Sequence, residues 1–257
     1  MKISVIQSDP EWENKSVNLN KLGILISSLG GMTDLIILPE MFNTGFSMHT
    51  DALSEPPDGY TFHWMKDLSG NFGFGICGSY MVSEGGKVFN RWVFVAPGEE
   101  RIVYDKRHPF SVGGEDKYFT PGKNRLVFSY KGVRISPYIC YDLRFPVWSR
   151  SKGSDTDLMI FAANWPAARR NVWNILLRAR AIENQCYVAG SNRVGTDGNG
   201  ISYSGESMII DPRGELMASA DSDAEKCITS EISMNELADF RKKFPVLDDA
   251  DDFTIHI

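Results

Sequence analysis

Short β-branched runs alternate with longer stretches of mixed polar and apolar residues from one end of the chain to the other, the pattern of strands interleaved with helices. Lys2 to Gln7 reads as a strand, and Ser16 to Leu29 brings Val17, Leu19, Leu22, Ile24, Leu25 and Leu29 onto much of one helical face. Asp34 to Leu38 predicts a strand that stops at Pro39 and, being apolar on both faces, is central and buried. From Phe72 to Lys106, three β-rich runs separated by hairpin signals at Gly85-Gly86 and Pro97-Gly98 predict an antiparallel meander.

After a loop from His108 to Gly122, strands are expected at Arg125 to Tyr130, Val133 to Ile139 and Asp157 to Ala163. Asn171 to Gln185 predicts a helix whose apolar positions are Val172, Ile175, Leu176, Ala179 and Ile182. Cys186 to Arg193, Ser202 to Asp211, Glu215 to Ala220 and Cys227 to Ile232 complete the strands, and Met234 to Lys243 is helical. That is too many strands for one comfortable sheet, so two sheets face to face with helices outside them are expected. No repeat or linker interrupts the pattern, which gives one domain over 1–257 with 244–257 as a C-terminal tail.

Composition narrows the function more than the fold. With 27 basic against 33 acidic residues the net charge is −6, which leaves no electrostatic footprint for nucleic acid or an anionic membrane. Cys77, Cys140, Cys186 and Cys227 are widely scattered, with no C-x-x-C pair and no histidine at metal-ligand spacing, so no metal site is expected. The N-terminus lacks the features of a secretory signal, and no run approaches the ~18 apolar residues of a membrane span. A cytoplasmic protein with reduced thiols is the expectation.

Three segments put a chemically useful residue just past an apolar strand, where open α/β sheets gather their sites: Glu40 in Leu38-Pro39-Glu40, Lys106 in Tyr104-Asp105-Lys106, and Cys140 after Val133 to Ile139. A carboxylate, an ammonium and a thiol so placed converge if their strands share one edge. Cys140 is expected on a tight strand-to-helix turn, its thiolate favoured by a helix N-terminus, with a small core residue as the alternative. Cys77, Cys186 and Cys227 read as core. Glu40 suits general acid and base work or a helix first turn. Lys106 has a solvated lysine as its bland alternative, and His108 is a rival base for Cys140.

The segments LPEMFNTGF (38–46), YDKRHPF (104–110) and CYDLRFPVWSR (140–150), in that order, resemble the Glu-Lys-Cys signature of the nitrilase superfamily of carbon-nitrogen hydrolases. The likeness continues through ANWPAARRNVW (163–173), RARAIENQCYVAGSNRVGTDGNG (178–200) and KKFPVLDDADDF (242–253), essentially the whole chain. It implies an α-β-β-α sandwich of two mixed sheets flanked by helices that dimerises through its helical faces, with no cofactor. It is similar above all to the omega-amidase branch, which implies hydrolysis of the side-chain amide of 2-oxoglutaramate and 2-oxosuccinamate through a cysteinyl thioester.

On that resemblance Glu40 matches the general base, Lys106 the cation beside the tetrahedral intermediate, Cys140 the nucleophile, and Glu115, with Asp116 next door, the second glutamate that holds the lysine. The backbone N–H of Tyr141 is implied as an oxyanion partner. For the substrate's far carboxylate, Arg144 is the candidate clamp, against a structural ion pair with Asp142 or a tail aspartate. Trp165 and Phe110 are candidate pocket walls. The same scaffold also serves nitrilases, aliphatic amidases, N-carbamoyl amino acid hydrolases and acyltransferases, and a non-catalytic dimeric scaffold is the alternative of another class.

Overall fold

The computed structural model describes residues 1–256. Strand β1 (Lys2–Gln7) is buried from Ile3 onward and lies inside the first sheet, between β2 (Leu35–Ile37) and the returning edge strand β14 (Lys226–Glu231). Parallel pairing carries β1 to β2 and β2 to β3 (Gly75–Glu84). The expected meander then follows, with β3, β4 (Lys87–Val95) and β5 (Ile102–Asp105) pairing antiparallel, so the order is β14-β1-β2-β3-β4-β5.

The second sheet repeats this plan. Its parallel centre is β7 (Val133–Ile139), β8 (Leu158–Ala163) and β9 (Tyr187–Asn192), flanked by β6 (Phe128–Tyr130) on one side and by β12 (Met208–Ile210) and β13 (Leu216–Ser219) on the other. A separate ribbon pairs β10 (Val194–Thr196) with β11 (Ser202–Ser204). One continuous core takes Ile3, Val5, Ile37 and Phe94 from the first sheet and Ile135, Ile160, Tyr138 and Ala189 from the second, so the two sheets pack face to face.

Helices cover the outer faces. Helix α1 (Lys15–Ser27), capped by the Asn14 side chain accepting from the Val17 N–H, and α3 (Tyr60–Phe72) lie outside the first sheet, where Leu19, Leu22, Ile26 and Met65 meet Ile36, Phe74 and Ile76. Between them is the single turn α2 (Thr50–Leu53). Helix α5 (Arg170–Asn184) covers the second sheet, preceded by the short α4 (Pro146–Ser149) and followed by α6 (Met234–Lys243). The result is the expected α-β-β-α sandwich. No helix among the described residues is long and apolar enough to cross a membrane.

Four expectations are corrected. Ser202 to Asp211 is not one strand: positive φ at Gly205 (73°) and Glu206 (58°) breaks it, and its halves join different sheets. The buried face of α5 is Trp173, Leu177, Ala181 and Asn184 rather than the stripe through Ile175 and Ile182, both of which are exposed. Gly190 causes this, because Leu177 and Trp173 pack where a Cβ would come within 2.5 and 2.8 Å of them. Ile24 likewise faces outward from α1. Cys77 and Cys186 are core residues, but Cys227 is partly exposed on the outer side of β14.

Candidate active site

Each chemical group sits just past the carboxyl end of a strand. Glu40 follows β2, and its chain is tied to the neighbouring strand by the Leu38 N–H donating to the Cys77 carbonyl and the Phe42 N–H to that of Ser79. Lys106 follows β5 directly. Its N–H donates to the Asn90 carbonyl, and its own carbonyl accepts from Gly122, whose α-carbon approaches so closely that a Cβ would lie 2.1 Å from the Asp105 oxygen. Cys140 follows β7 at φ +44°, a left-handed conformation that costs a non-glycine residue about 1 to 2 kcal/mol and needs neighbours to hold it. Asn164 follows β8 in the same way.

The two sheets thus deliver these groups to one point. Lys106 Nζ donates to Glu40 Oε1 at 2.7 Å and to Glu115 Oε2 at 2.8 Å, with all three side chains at most 1% exposed. Asn90, from the middle of β4, donates one amide to both carboxylates, at 2.8 Å to Glu40 and 3.0 Å to Glu115, while its oxygen accepts from Ser79. The second oxygen of Glu40 accepts from the Asn164 N–H at 2.9 Å. The Phe110 N–H donates to Glu115, and Asp116, its neighbour, is exposed. Glu115 and not Asp116 is therefore the acid that joins the lysine.

Burial of this kind sets the protonation states. Desolvation works against the Lys106 ammonium, but Glu115 and Glu40 outweigh it and raise its pKa, so it stays charged. For Glu115, burial raises the pKa against the opposing pull of Lys106, and the Glu40 charge adds to the rise. Burial and then the Glu40 charge push the Cys140 thiol well above its ordinary range, with Lys106 pulling the other way. The expected helix-stabilised thiolate is thus corrected: Cys140 opens a 3-10 turn over Cys140–Arg144 rather than an α-helix, and its resting form is the neutral thiol.

His108 does not hydrogen-bond Cys140, whose sulfur faces the Asn164 carbonyl. Its Nδ1 lies 2.7 Å from Asp142 Oδ1 and its ring stacks on Phe145 at 3.8 Å. Asp142 is fully buried and accepts from four groups: the His108 N–H and ring, the Tyr104 hydroxyl at 2.7 Å, and the Ile139 N–H at 3.1 Å. The last bond anchors the residue before Cys140, so this carboxylate braces the strained turn. Having these partners, Asp142 is not paired with Arg144.

A cavity of about 370 Å³ opens over the thiol. Phe110, Tyr141, Arg144 and Trp165 all line it, as do Lys106 and Cys140. The Arg144 guanidinium lies over the Trp165 ring at 5.1 Å, and Phe110 meets Tyr141 edge-on at 5.0 Å. Phe46 covers Lys106, whose Nζ is 5.3 Å from its ring centre. A cavity of similar size beside Leu22, Leu25 and Cys227 holds none of these groups. Asn90 and Asn164 were not singled out in the sequence. For Asn164 the strand-end rule that marks Cys140 was a sufficient signal, since it follows Ala163 directly.

Comparison with known proteins agrees with the geometry. The carbon-nitrogen hydrolase family model matches residues 2–242. The chain is 43% identical over 256 residues to "Omega-amidase YafV" of Escherichia coli (strain K12), covering 99% of this chain and 98% of that protein. It is 34% identical over 254 residues to "2-oxoglutaramate amidase" of Bacillus subtilis (strain 168), with 96% of each covered. The crystal structure of XC1258 from Xanthomonas campestris, described as a CN-hydrolase superfamily protein with an arsenic adduct in the active site, has a TM-score of 0.97 at 40% identity, covering 100% of this chain and 99% of that one. Nit3 of Saccharomyces cerevisiae, from branch 10 of the nitrilase superfamily, has a TM-score of 0.85 at 24% identity, over 96% and 94% of the two chains, a likeness of fold.

Proposed function

Because the chain belongs to the carbon-nitrogen hydrolase family, we propose that it is an omega-amidase, hydrolysing the terminal amide of 2-oxoglutaramate or 2-oxosuccinamate to the dicarboxylate and ammonia. The observation that carries this reading is the buried Glu40-Lys106-Glu115 cluster beside the Cys140 thiol at the foot of a cavity lined by Arg144.

Glu40 takes the thiol proton as the sulfur attacks the amide carbon, which suits a thiol that is neutral at rest. Lys106 and the Tyr141 N–H stabilise the oxyanion, and Glu115 holds Lys106 in place. Collapse breaks the C–N bond, and Glu40 returns its proton to the departing ammonia. A water then loses a proton to Glu40 and attacks the thioester; the C–S bond breaks, the acid leaves, and the sulfur recovers its proton. Arg144 clamps the far carboxylate, with Trp165 and Phe110 as walls.

The assay is ammonia release from 2-oxoglutaramate, run beside a nitrile and an N-carbamoyl amino acid, for wild type and Cys140→Ala. Turnover of the oxo-acid amide, lost by at least about a thousandfold in the variant, is the expected result. Full activity of Cys140→Ala sinks the scheme; preference for the nitrile or carbamoyl compound moves the chain to another branch of the family.

The same reading takes the chain as a single domain with 244–257 as its tail, acting as a homodimer in the cytoplasm. The stripe of Ile175 and Ile182, 65% and 53% exposed on α5, supports a helical interface. Four free cysteines suit a reducing compartment.

A further inference from the structure

We infer that Arg169 is a specificity determinant that selects the 2-oxo acid over its 2-amino counterpart, acting with Arg144 in the cavity over Cys140. This rests on the omega-amidase reading and deepens it.

Two guanidiniums line the cavity above Cys140, those of Arg144 and Arg169. Each lies against an aromatic wall of that cavity, Arg144 over Trp165 at 5.1 Å and Arg169 over Phe110 at 5.4 Å. The Arg169 backbone is fixed, since its carbonyl accepts from the Trp165 indole at 2.9 Å and its N–H donates to Pro166. Among the described residues neither guanidinium has a carboxylate or hydrogen-bond partner, whereas Arg91, Arg134, Arg180 and Arg241 are all paired with acids. Stacked cations with unused N–H donors around a cavity are binding groups for acceptor oxygens.

The acids nearby are not paired with these guanidiniums. Glu40 and Glu115 are committed to Lys106, so that cluster has no net positive charge left for a carboxylate. Asp197, the remaining acid on the cavity wall, accepts from the Tyr203 hydroxyl at 2.8 Å and from the Asn199 and Ile201 N–H groups at 2.9 and 3.0 Å. A substrate end that reaches the two arginines therefore meets guanidinium donors that no acid of the cavity has taken.

A 2-oxo acid offers that end three acceptor oxygens in one plane, two from the carboxylate and one from the ketone, enough for both forks. A 2-amino acid such as L-glutamine offers the same carboxylate but adds an ammonium, which donates where acceptors are required and is repelled by the guanidiniums. Discrimination built on unpaired donors and like charge is far larger than that from shape alone.

The test measures kcat and KM for 2-oxoglutaramate, 2-hydroxyglutaramate and L-glutamine with wild type, Arg169→Gln and Arg169→Lys. Arg169→Gln should raise KM for the oxo acid by about 10- to 100-fold with kcat changed only severalfold, and shrink the kcat/KM ratio of oxo acid to glutamine by about tenfold. Arg169→Lys should keep most of that ratio, because the charge remains, and recover only part of the affinity. The ratio is taken within one protein, so partial loss of folded enzyme cancels. An unchanged ratio and KM in Arg169→Gln overturns the inference while wild-type turnover stands; wild type inactive on 2-oxoglutaramate overturns the underlying reading instead.

Discussion

Asn164 holds Glu40 from the opposite sheet by two bonds: its backbone N–H donates to Glu40 Oε2 at 2.9 Å, and its side-chain amide donates to the Glu40 carbonyl at 2.6 Å. Glu40 follows β2 of the first sheet and Asn164 follows β8 of the second, so the proposed base is positioned by the packing of the sandwich itself. Asn164→Ala keeps the first bond and deletes the second, leaving a buried carbonyl unpaired. The expected result is a loss of about 1 to 3 kcal/mol of stability by denaturant unfolding and a fall in kcat of about tenfold or more, because a small misplacement of a base is costly. A variant with wild-type kcat would show that Glu40 needs no support from the second sheet.

Glu115 provides the second test. It supplies one of two carboxylates to a fully buried ammonium, and burial raises its own pKa while Lys106 opposes the rise. Glu115→Gln removes a charge that keeps Lys106 protonated and fixed, so kcat should fall by about 10²- to 10³-fold with the fold intact. Steady-state kinetics beside a circular dichroism melt reads both. Activity within a few-fold of wild type would reduce Glu115 to a packing role.

Much of this site was readable from one rule, that chemistry follows the ends of apolar strands. Glu40, Lys106 and Cys140 are all placed by it, and the same rule applied to Asp157 to Ala163 leads to Asn164. Asn90 was invisible because it lies mid-strand, where only the partner residues reveal that a buried amide faces two carboxylates. Helix α3 escaped for a different reason. Its apolar residues Met65, Leu68 and Phe72 do stand at helical spacing and pack on the outer core, but Thr61 and Ser69 are buried on the same face while Phe62 and Trp64 lie beside it, which blurs the stripe. On α5 the apolar positions form two stripes, and which one packs inward is decided by Gly190, a residue of another element. His108 and Glu115 were distinguishable from their rivals only through burial and partners, which the order of residues does not carry.

Asp142 braces the turn that carries the proposed nucleophile. Its carboxylate receives four donors, including the Ile139 N–H beside the left-handed Cys140. Asp142→Asn would turn an amide N–H₂ toward one of these donors, so a loss of about 2 to 4 kcal/mol is expected from denaturant unfolding, with relaxation of the strained turn. As a positioning residue it should lower kcat far more than it changes KM, and His108→Ala should reproduce a smaller part of the same effect. Equal kinetics for wild type and Asp142→Asn would show that the turn is held by β7 and β8 alone.

The resting thiol yields a prediction with opposite signs for two measurements. Burial is the largest cause of the raised Cys140 pKa, followed by the Glu40 charge, while Lys106 lowers it. Below that pKa the sulfur is protonated, so the thiolate is a minor form at neutral pH and grows tenfold with each pH unit. Alkylation by iodoacetamide, which needs the thiolate, should therefore keep accelerating past pH 9 instead of levelling near pH 7 as it does for a cysteine activated by a neighbouring cation. Catalysis at pH 7 does not need a preformed thiolate if Glu40 removes the proton during attack. Glu40→Gln deletes the nearest negative charge and leaves Lys106 facing the sulfur, so the thiol pKa should fall and alkylation at pH 9 should speed up. Amide turnover in the same variant should collapse by at least about 10³-fold, since the proton acceptor is gone. Alkylation and turnover moving together, both faster or both slower, would contradict the assignment of Glu40 as base to a neutral thiol.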